Sequence, residues 1–92
     1  MTAINTNRAA RTIKGAANHH RVKILLLLGQ TPDLSVSELA EKLNINFRTA
    51  SEHTKKLVAS GLINKRYNHN FVTHQLTPLG EKMLIAIEQL NE

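Results

Sequence analysis

The chain contains no cysteine and no tryptophan, has two prolines and four glycines, and is only 3% aromatic. Without cysteine there is no disulfide framework and no thiolate metal site, and a reducing compartment fits. Without aromatic bulk the core must come from Leu, Ile, Val and Ala, which suits packed helices and a short hairpin. The longest apolar run, residues 24–28, is far too short to span a bilayer. Residues 1–14 lack the apolar h-region of a signal peptide, so a cytoplasmic protein without a membrane partner is expected. No paired carboxylates, nucleophile elbow or glycine-rich phosphate loop is present, and no enzyme and no catalytic residue are expected.

Acid is missing locally as well. Residues 1–23 hold Arg8, Arg11, Lys14, Arg21 and Lys23 and no carboxylate. Residues 48–66 hold Arg48, Lys55, Lys56, Lys65 and Arg66 against Glu52 alone. The other two stretches, 24–47 and 67–92, are each net acidic, so the overall charge of +5 sits in two segments. Concentrated positive charge is an electrostatic footprint for phosphate, with a merely solvated surface as the plain alternative. With 92 residues, 41% of them hydrophobic, one domain over 1–92 with a single modest core is expected.

Residues 35–63 organise the rest. Ser35-x-x-Glu38 is a capping box, in which each side chain satisfies a free backbone N–H of the other residue. The helix that follows, 36–43, would bury Val36, Leu39, Ala40 and Leu43, and the chain turns at Asn44-Ile45. Asn46 caps a second helix, 47–60, which stops at Gly61. Ala50, Leu57 and Val58 face inward, and Thr54 stands where an apolar residue would pack better. Arg48, Glu52, Lys55, Lys56 and Ala59 form the opposite arc, flanked by Thr49 and Ser51. Two helices, a tight turn and a polar, basic outer face make a helix-turn-helix that sets its second helix in the DNA major groove.

Around that unit, Thr6 is read as the N-cap of a first helix, about 7–17, with Ala9, Ala10, Ile13, Ala16 and Ala17 in one stripe. Asn18 caps a core helix, 19–28, ending at Gly29. Thr31-Pro32-Asp33 is turn chemistry, and Leu34 adds one or two residues of strand. Runs 62–67 and 71–77 read as strands separated by Asn68-His69-Asn70, with Val72, His74 and Leu76 inward. Thr77-Pro78 starts a last helix, about 78–91, with Leu79, Met83, Ala86, Ile87 and Leu90 as its stripe. Leu84 widens that stripe and Ile85 lies among charged residues, which is more apolar surface than one small core needs. A dimer with Ala9, Ile13, Ala16, Leu84 and Ile85 at or near its interface follows. The fold is mainly α with a small β-hairpin, in the order α-α-(β)-α-α-β-β-α.

N-H-H-R-V-K-I-L-L-L-L, the run S-V-S-E-L-A-E-K-L-N-I-N-F-R-T-A-S-E-H-T-K-K-L-V-A-S-G-L-I, and the hairpin end H-Q-L-T-P-L-G-E-K-M together carry a resemblance. Over about residues 18–90 the chain resembles the winged helix-turn-helix transcriptional regulators of the arsenical-resistance-repressor (ArsR) type, and its wing and closing helix are similar to the multiple-antibiotic-resistance-repressor (MarR) type. The resemblance implies a homodimer joined by N- and C-terminal helices on an inverted-repeat operator. It departs where metal-sensing members carry a cysteine pair, since Val36-Ser37-Glu38 stands there, and the last helix has Glu81 and Glu88 but no histidine. No metal ligand and no cofactor are therefore assigned, and His19, His20, His53, His69 and His74 are read as structural.

The expected function is a dimeric repressor on double-stranded DNA, nucleoid-associated when bound. Arg48 is the candidate for a bidentate contact to guanine, Glu52 for accepting from a cytosine amino group, and Thr49 and Ser51 for smaller contacts. Asn46 caps and donates to phosphate, while Lys55 and Lys56 suit phosphates on either side of the groove. Lys65, Arg66, Asn68 and His69 would let the wing touch backbone or minor groove. A protein-interaction module and a metal- or ligand-responsive sensor are the alternatives, and a small-molecule effector leaves no sequence signature.

Overall fold

The computed structural model describes residues 3–91. Helices α1 (Thr6–Ala16), α2 (His19–Gln30), α3 (Val36–Leu43) and α4 (Phe47–Ala59) precede strands β1 (Ile63–Asn68) and β2 (Phe71–Leu76), and α5 (Pro78–Leu90) follows. This is the predicted order, with five helices and one antiparallel hairpin among the described residues. An isolated bridge pairs Leu34 with His74, which is the strand fragment expected before the capping box.

Helix α2 is the hub and packs against all four other helices and β2. Its Ile24 and Leu25 are fully buried, each contributing about 1.5–3 kcal/mol by leaving water. Leu39 of α3, Leu57 of α4, and Leu62 and Ile63 at the start of the hairpin close the core around them. Leu27, Leu43, Val58, Leu76, Met83 and Ile87 pack against its edges.

The helix starts follow side-chain chemistry. Ser35 Oγ accepts from Glu38 N–H at 3.1 Å while Glu38 Oε1 accepts from Ser35 N–H at 3.0 Å, the reciprocal pair expected. Hydrogen bonding from the Ser35 backbone N–H, and next from its side chain, holds the Glu38 carboxyl below its ordinary pKa. Asn46 Oδ1 accepts from Thr49 N–H, Asn18 Oδ1 from His20 N–H, and Thr77 Oγ1 from Gly80 N–H. The first cap differs from expectation. Asn5, not Thr6, takes the Arg8 N–H at 3.0 Å, and Thr6 is the first helical residue. Both are capping types side by side, and Asn is the stronger acceptor there.

Helix α2 also runs on past its predicted stop. Gly29 stays helical, with Leu84 of α5 lying where a side chain on it would reach, and the helix ends at Gln30 with Thr31 as its C-cap. Helix α4 ends at Ala59, with Ser60 as C-cap and Gly61 at φ +78°, one residue earlier than expected. Thr54 is buried with its hydroxyl donating to the Ala50 carbonyl oxygen at 2.6 Å, and it lies in the lining of a cleft between α3, α4 and the hairpin. The hairpin is tighter than predicted. Asn68 pairs with Phe71, leaving a two-residue turn at His69-Asn70 with His69 at φ +58°. Of the β2 face expected to be inward, His74 is buried and Leu76 half-buried, but Val72 is exposed.

The last helix departs most. Met83, Leu84 and Ile87 pack inward, whereas Leu79, Ala86 and Leu90 of the predicted stripe are exposed on the single chain, as is Ile85. On α1, Ile13 is 62% exposed and Ala9 half-buried, while Ala16 lies in the chain's own core at 5% exposure and offers no free surface.

Candidate nucleic-acid interface

Helix α4 carries its polar ridge as the sequence periodicity requires. Arg48, Glu52, Lys55, Lys56 and Ala59 are all exposed, and Ala50, Thr54 and Leu57 on the opposite face are buried. Thr49 and Ser51 flank the ridge half-buried. Arg48 Nε lies 3.4 Å from Glu52 Oε1, with side chains 90% and 62% exposed. Such an exposed i,i+4 pair contributes about 0–1 kcal/mol, so Arg48 can leave Glu52 for a guanine edge at little cost. Asn46 spends its carbonyl oxygen on the Thr49 cap at 2.7 Å, which leaves its amide N–H groups to donate outward.

Lys55 and Lys65 come together from different elements. Both line a cleft of about 260 Å³ between the start of α3, helix α4 and the hairpin, with Ser37, Phe47, Ser51 and Val72 in its walls. Ser37 and Phe47 were not among the sequence candidates. The capping box was the signal that places Ser37 in the first turn of α3, beside the ridge. At the wing tip Asn68 and His69 are exposed, and Tyr67 and Phe71, also missed, stand 73% and 69% exposed beside them. Arg66 faces Asp33 of the loop before α3 at 3.8 Å, both side chains exposed, a link worth about 0–1 kcal/mol that leaves the guanidinium able to turn to phosphate.

His74 strengthens that tie. Its backbone N–H donates to the Leu34 carbonyl oxygen at 2.9 Å, and its ring Nδ1 lies 3.0 Å from the same oxygen. A carbonyl only accepts, so Nδ1 carries the hydrogen. Burial lowers the His74 pKa below the usual imidazole value, with Lys65 adding to the effect and the Leu34 bond opposing it. His53 is lowered by burial, then by Arg21, His20 and Lys56, against Glu52. His20 is lowered by burial, then by His19 and Lys23. The His20 and His53 rings lie 5.2 Å apart, and among the described residues no three His, Asp or Glu side chains gather as metal ligands.

These shifts have a definite sign. The folded chain holds the imidazoles neutral to a lower pH than the unfolded chain does, so the unfolded state binds more protons below about pH 6.5. Stability is full above that value and falls as the pH drops through the window beneath it. The midpoint of urea unfolding should be lower at pH 5 than at pH 7.5, and His74→Asn, which keeps a donor for Leu34, should reduce the difference. A midpoint independent of pH over that range would contradict the assignment.

A capped helix, a tight turn, a second helix with an exposed polar ridge and a hairpin beside it define a protein that reads duplex DNA. Residues 18–64 match the winged helix-turn-helix DNA-binding family. The chain is 31% identical over 83 residues to the transcriptional activator HlyU of Vibrio cholerae, spanning 90% of this chain and 76% of that protein. A solved structure of HlyU from Vibrio cholerae superposes with a TM-score of 0.84 at 28% identity, over 98% of each chain. A solution structure from Mycobacterium bovis, the homodimeric winged helix-turn-helix DNA-binding domain of Mb0332, a possible ArsR-family regulator, gives a TM-score of 0.77 at 26% identity, over 92% of this chain and 83% of that one. The chain belongs to the winged helix-turn-helix DNA-binding family and is an ArsR-like transcriptional regulator.

Proposed function

We propose that two copies of this chain form a dimer that reads an inverted-repeat operator, each α4 lying in a major groove and each wing on the flanking backbone or minor groove. The observation that carries this is the α4 ridge, exposed along its length and set on a buried inner face. Arg48 contacts guanine, Glu52 a cytosine amino group, and Thr49 and Ser51 base or phosphate oxygens. Asn46, Lys55, Lys56, Lys65, Asn68 and His69 hold phosphate or groove edge. Arg66 joins them by turning from its weak, exposed pair with Asp33 to the flanking backbone.

The dimer forms through α1 and α5. Ile4, Ile13, Leu79, Ile85 and Leu90 are exposed apolar side chains, and Ile4, Ala9, Ile13 and Leu79 line one cleft of about 680 Å³. Leu84, beside Gly29, and Ile85 line a separate cleft between α2, β2 and α5. The Mycobacterium bovis relative is described as homodimeric, which supports the same assembly. The chain works as one domain by binding rather than by catalysis, in the cytoplasm, and no described helix is long and apolar enough to cross a membrane. A dimer seated on its operator represses where the operator overlaps a promoter. The similar HlyU is named an activator, which makes activation the second reading.

Arg48→Ala should relax base preference at one position per half-site by about 1–3 kcal/mol, while Lys55→Ala should weaken all duplexes alike. Fluorescence anisotropy with a selected operator and with scrambled DNA separates the two. Equal losses on both duplexes for Arg48→Ala would remove it from the base-reading set.

A further inference from the structure

The acid-free N-terminal segment folds onto the flank of α4 that faces away from the wing. Arg11 and Lys14 of α1, Arg21 of α2 and Lys56 of α4 line one groove of about 350 Å³, completed by Gly15, Ala59 and Ser60. The groove contains no carboxylate, and the two ion pairs among the described residues lie elsewhere, at Arg48–Glu52 and Arg66–Asp33. Arg21 reaches the Lys14 carbonyl oxygen with one terminal nitrogen at 3.5 Å, while its buried Nε has no partner. Four cations gathered without a counter-ion repel one another, and an anion in the groove relieves that repulsion.

Position says which anion. Lys56 is the third member of the i,i+4 series Arg48, Glu52, Lys56, so this groove continues the exposed ridge of α4. Lys55, one residue earlier, lines the cleft on the wing side together with Lys65. Helix α4 therefore has a cationic groove along each flank. A major groove about 12 Å wide has a phosphate wall on each side of an inserted helix. The wing-side cleft meets one wall, and the α1–α2 corner stands beside the other.

We propose that the corner where α1, α2 and α4 meet is a second phosphate-binding surface, in which Arg11, Lys14, Arg21 and Lys56 hold the DNA backbone on the side opposite the wing. The proposal rests on α4 reading duplex DNA. It gives α1 two functions, since Ile13 faces the apolar cleft with Leu79 while Arg11 and Lys14 face the strand. Contacts of this kind add affinity and set register without reading sequence.

The test uses the full chain carrying Arg11→Gln and Lys14→Gln together, with folding checked by circular dichroism, and Lys82→Gln on α5 as a control cation. Affinity for a selected operator is measured across a salt series. For a dimer, the slope of log K against log salt should fall by about 3–4 for the double variant, about 0.9 for each phosphate no longer neutralised. Base preference and the Lys82→Gln slope should stay unchanged. A double variant with the wild-type slope and affinity overturns the proposal and leaves the reading of α4 standing. Wild-type protein that binds no duplex at low salt sinks both. Inorganic tripolyphosphate is the second arm: saturable binding that needs Arg11 and Lys14, with DNA affinity unaltered by their loss, would assign the groove to a free anion and overturn the DNA-backbone assignment.

Discussion

Raising salt from about 50 to about 200 mM is expected to weaken operator binding by about a thousandfold or more. The duplex carries condensed counterions, and each phosphate neutralised by Lys or Arg releases them, so affinity falls as a power of the salt concentration. Lys55, Lys56 and Lys65 from two subunits correspond to about six phosphates, which alone gives roughly 10³. With Arg11 and Lys14 of the α1–α2 corner the number reaches about ten and the loss approaches 10⁵. None of these five side chains is engaged in an ion pair among the described residues, so all are available to phosphate. Scrambled duplex should show a similarly steep dependence, because phosphate contacts carry no sequence. A loss under about tenfold over that range would mean that the cations on α4, the hairpin and α1 do not face the backbone.

Gly80→Ala should be severely destabilising although it places a good helix former inside a helix. The added methyl would meet the Leu62 carbonyl oxygen, which already accepts the Thr77 N–H at 3.1 Å. That oxygen belongs to backbone at the start of the hairpin and cannot rotate away, so the first turn of α5 must lift off the core. Helix propensity returns about 1 kcal/mol, but overpacking against fixed backbone costs more, for a net loss of about 2–3 kcal/mol. In a domain of this size that lowers the melting temperature by roughly 10–20 °C. Gly29→Ala is the informative contrast. Its methyl would meet only the tip of the Leu84 side chain, which can turn aside, so thermal unfolding should change little or improve. Equal losses for the two variants would contradict the distinction between backbone and side-chain obstruction.

The sequence was most legible where one local interaction decides the outcome. Ser35 with Glu38, Asn46 before α4, and Thr77 with Pro78 are satisfied within a single turn, and each fell where expected. Reading failed where distant residues intervened. Gly29 looked like a helix stop, yet α2 runs on to Gln30, with Leu84 from far along the chain lying against it. Thr54 was legible as a polar residue on the core face, but its hydroxyl's bond back to Ala50 was not. Nothing local announces that Asp33 stands 3.8 Å from Arg66. The apolar residues of α5 split between core and surface, with Met83 and Ile87 inward and Leu79 and Leu90 outward, since periodicity gives a face but not its partner. The α4 ridge was visible from spacing alone. The groove beside it was not, because it joins three helices that only the fold brings together.

The most direct measurement of the central claim is selection of bound duplexes from a random pool, carried out with wild-type chain and with Arg48→Ala. The wild type should enrich an inverted repeat with guanine fixed at one position of each half, and the variant should keep the repeat while that position loses its preference. A pool that remains random after selection by the wild type, or an enriched motif identical for the two proteins, would contradict the assignment of α4 and Arg48 to base reading.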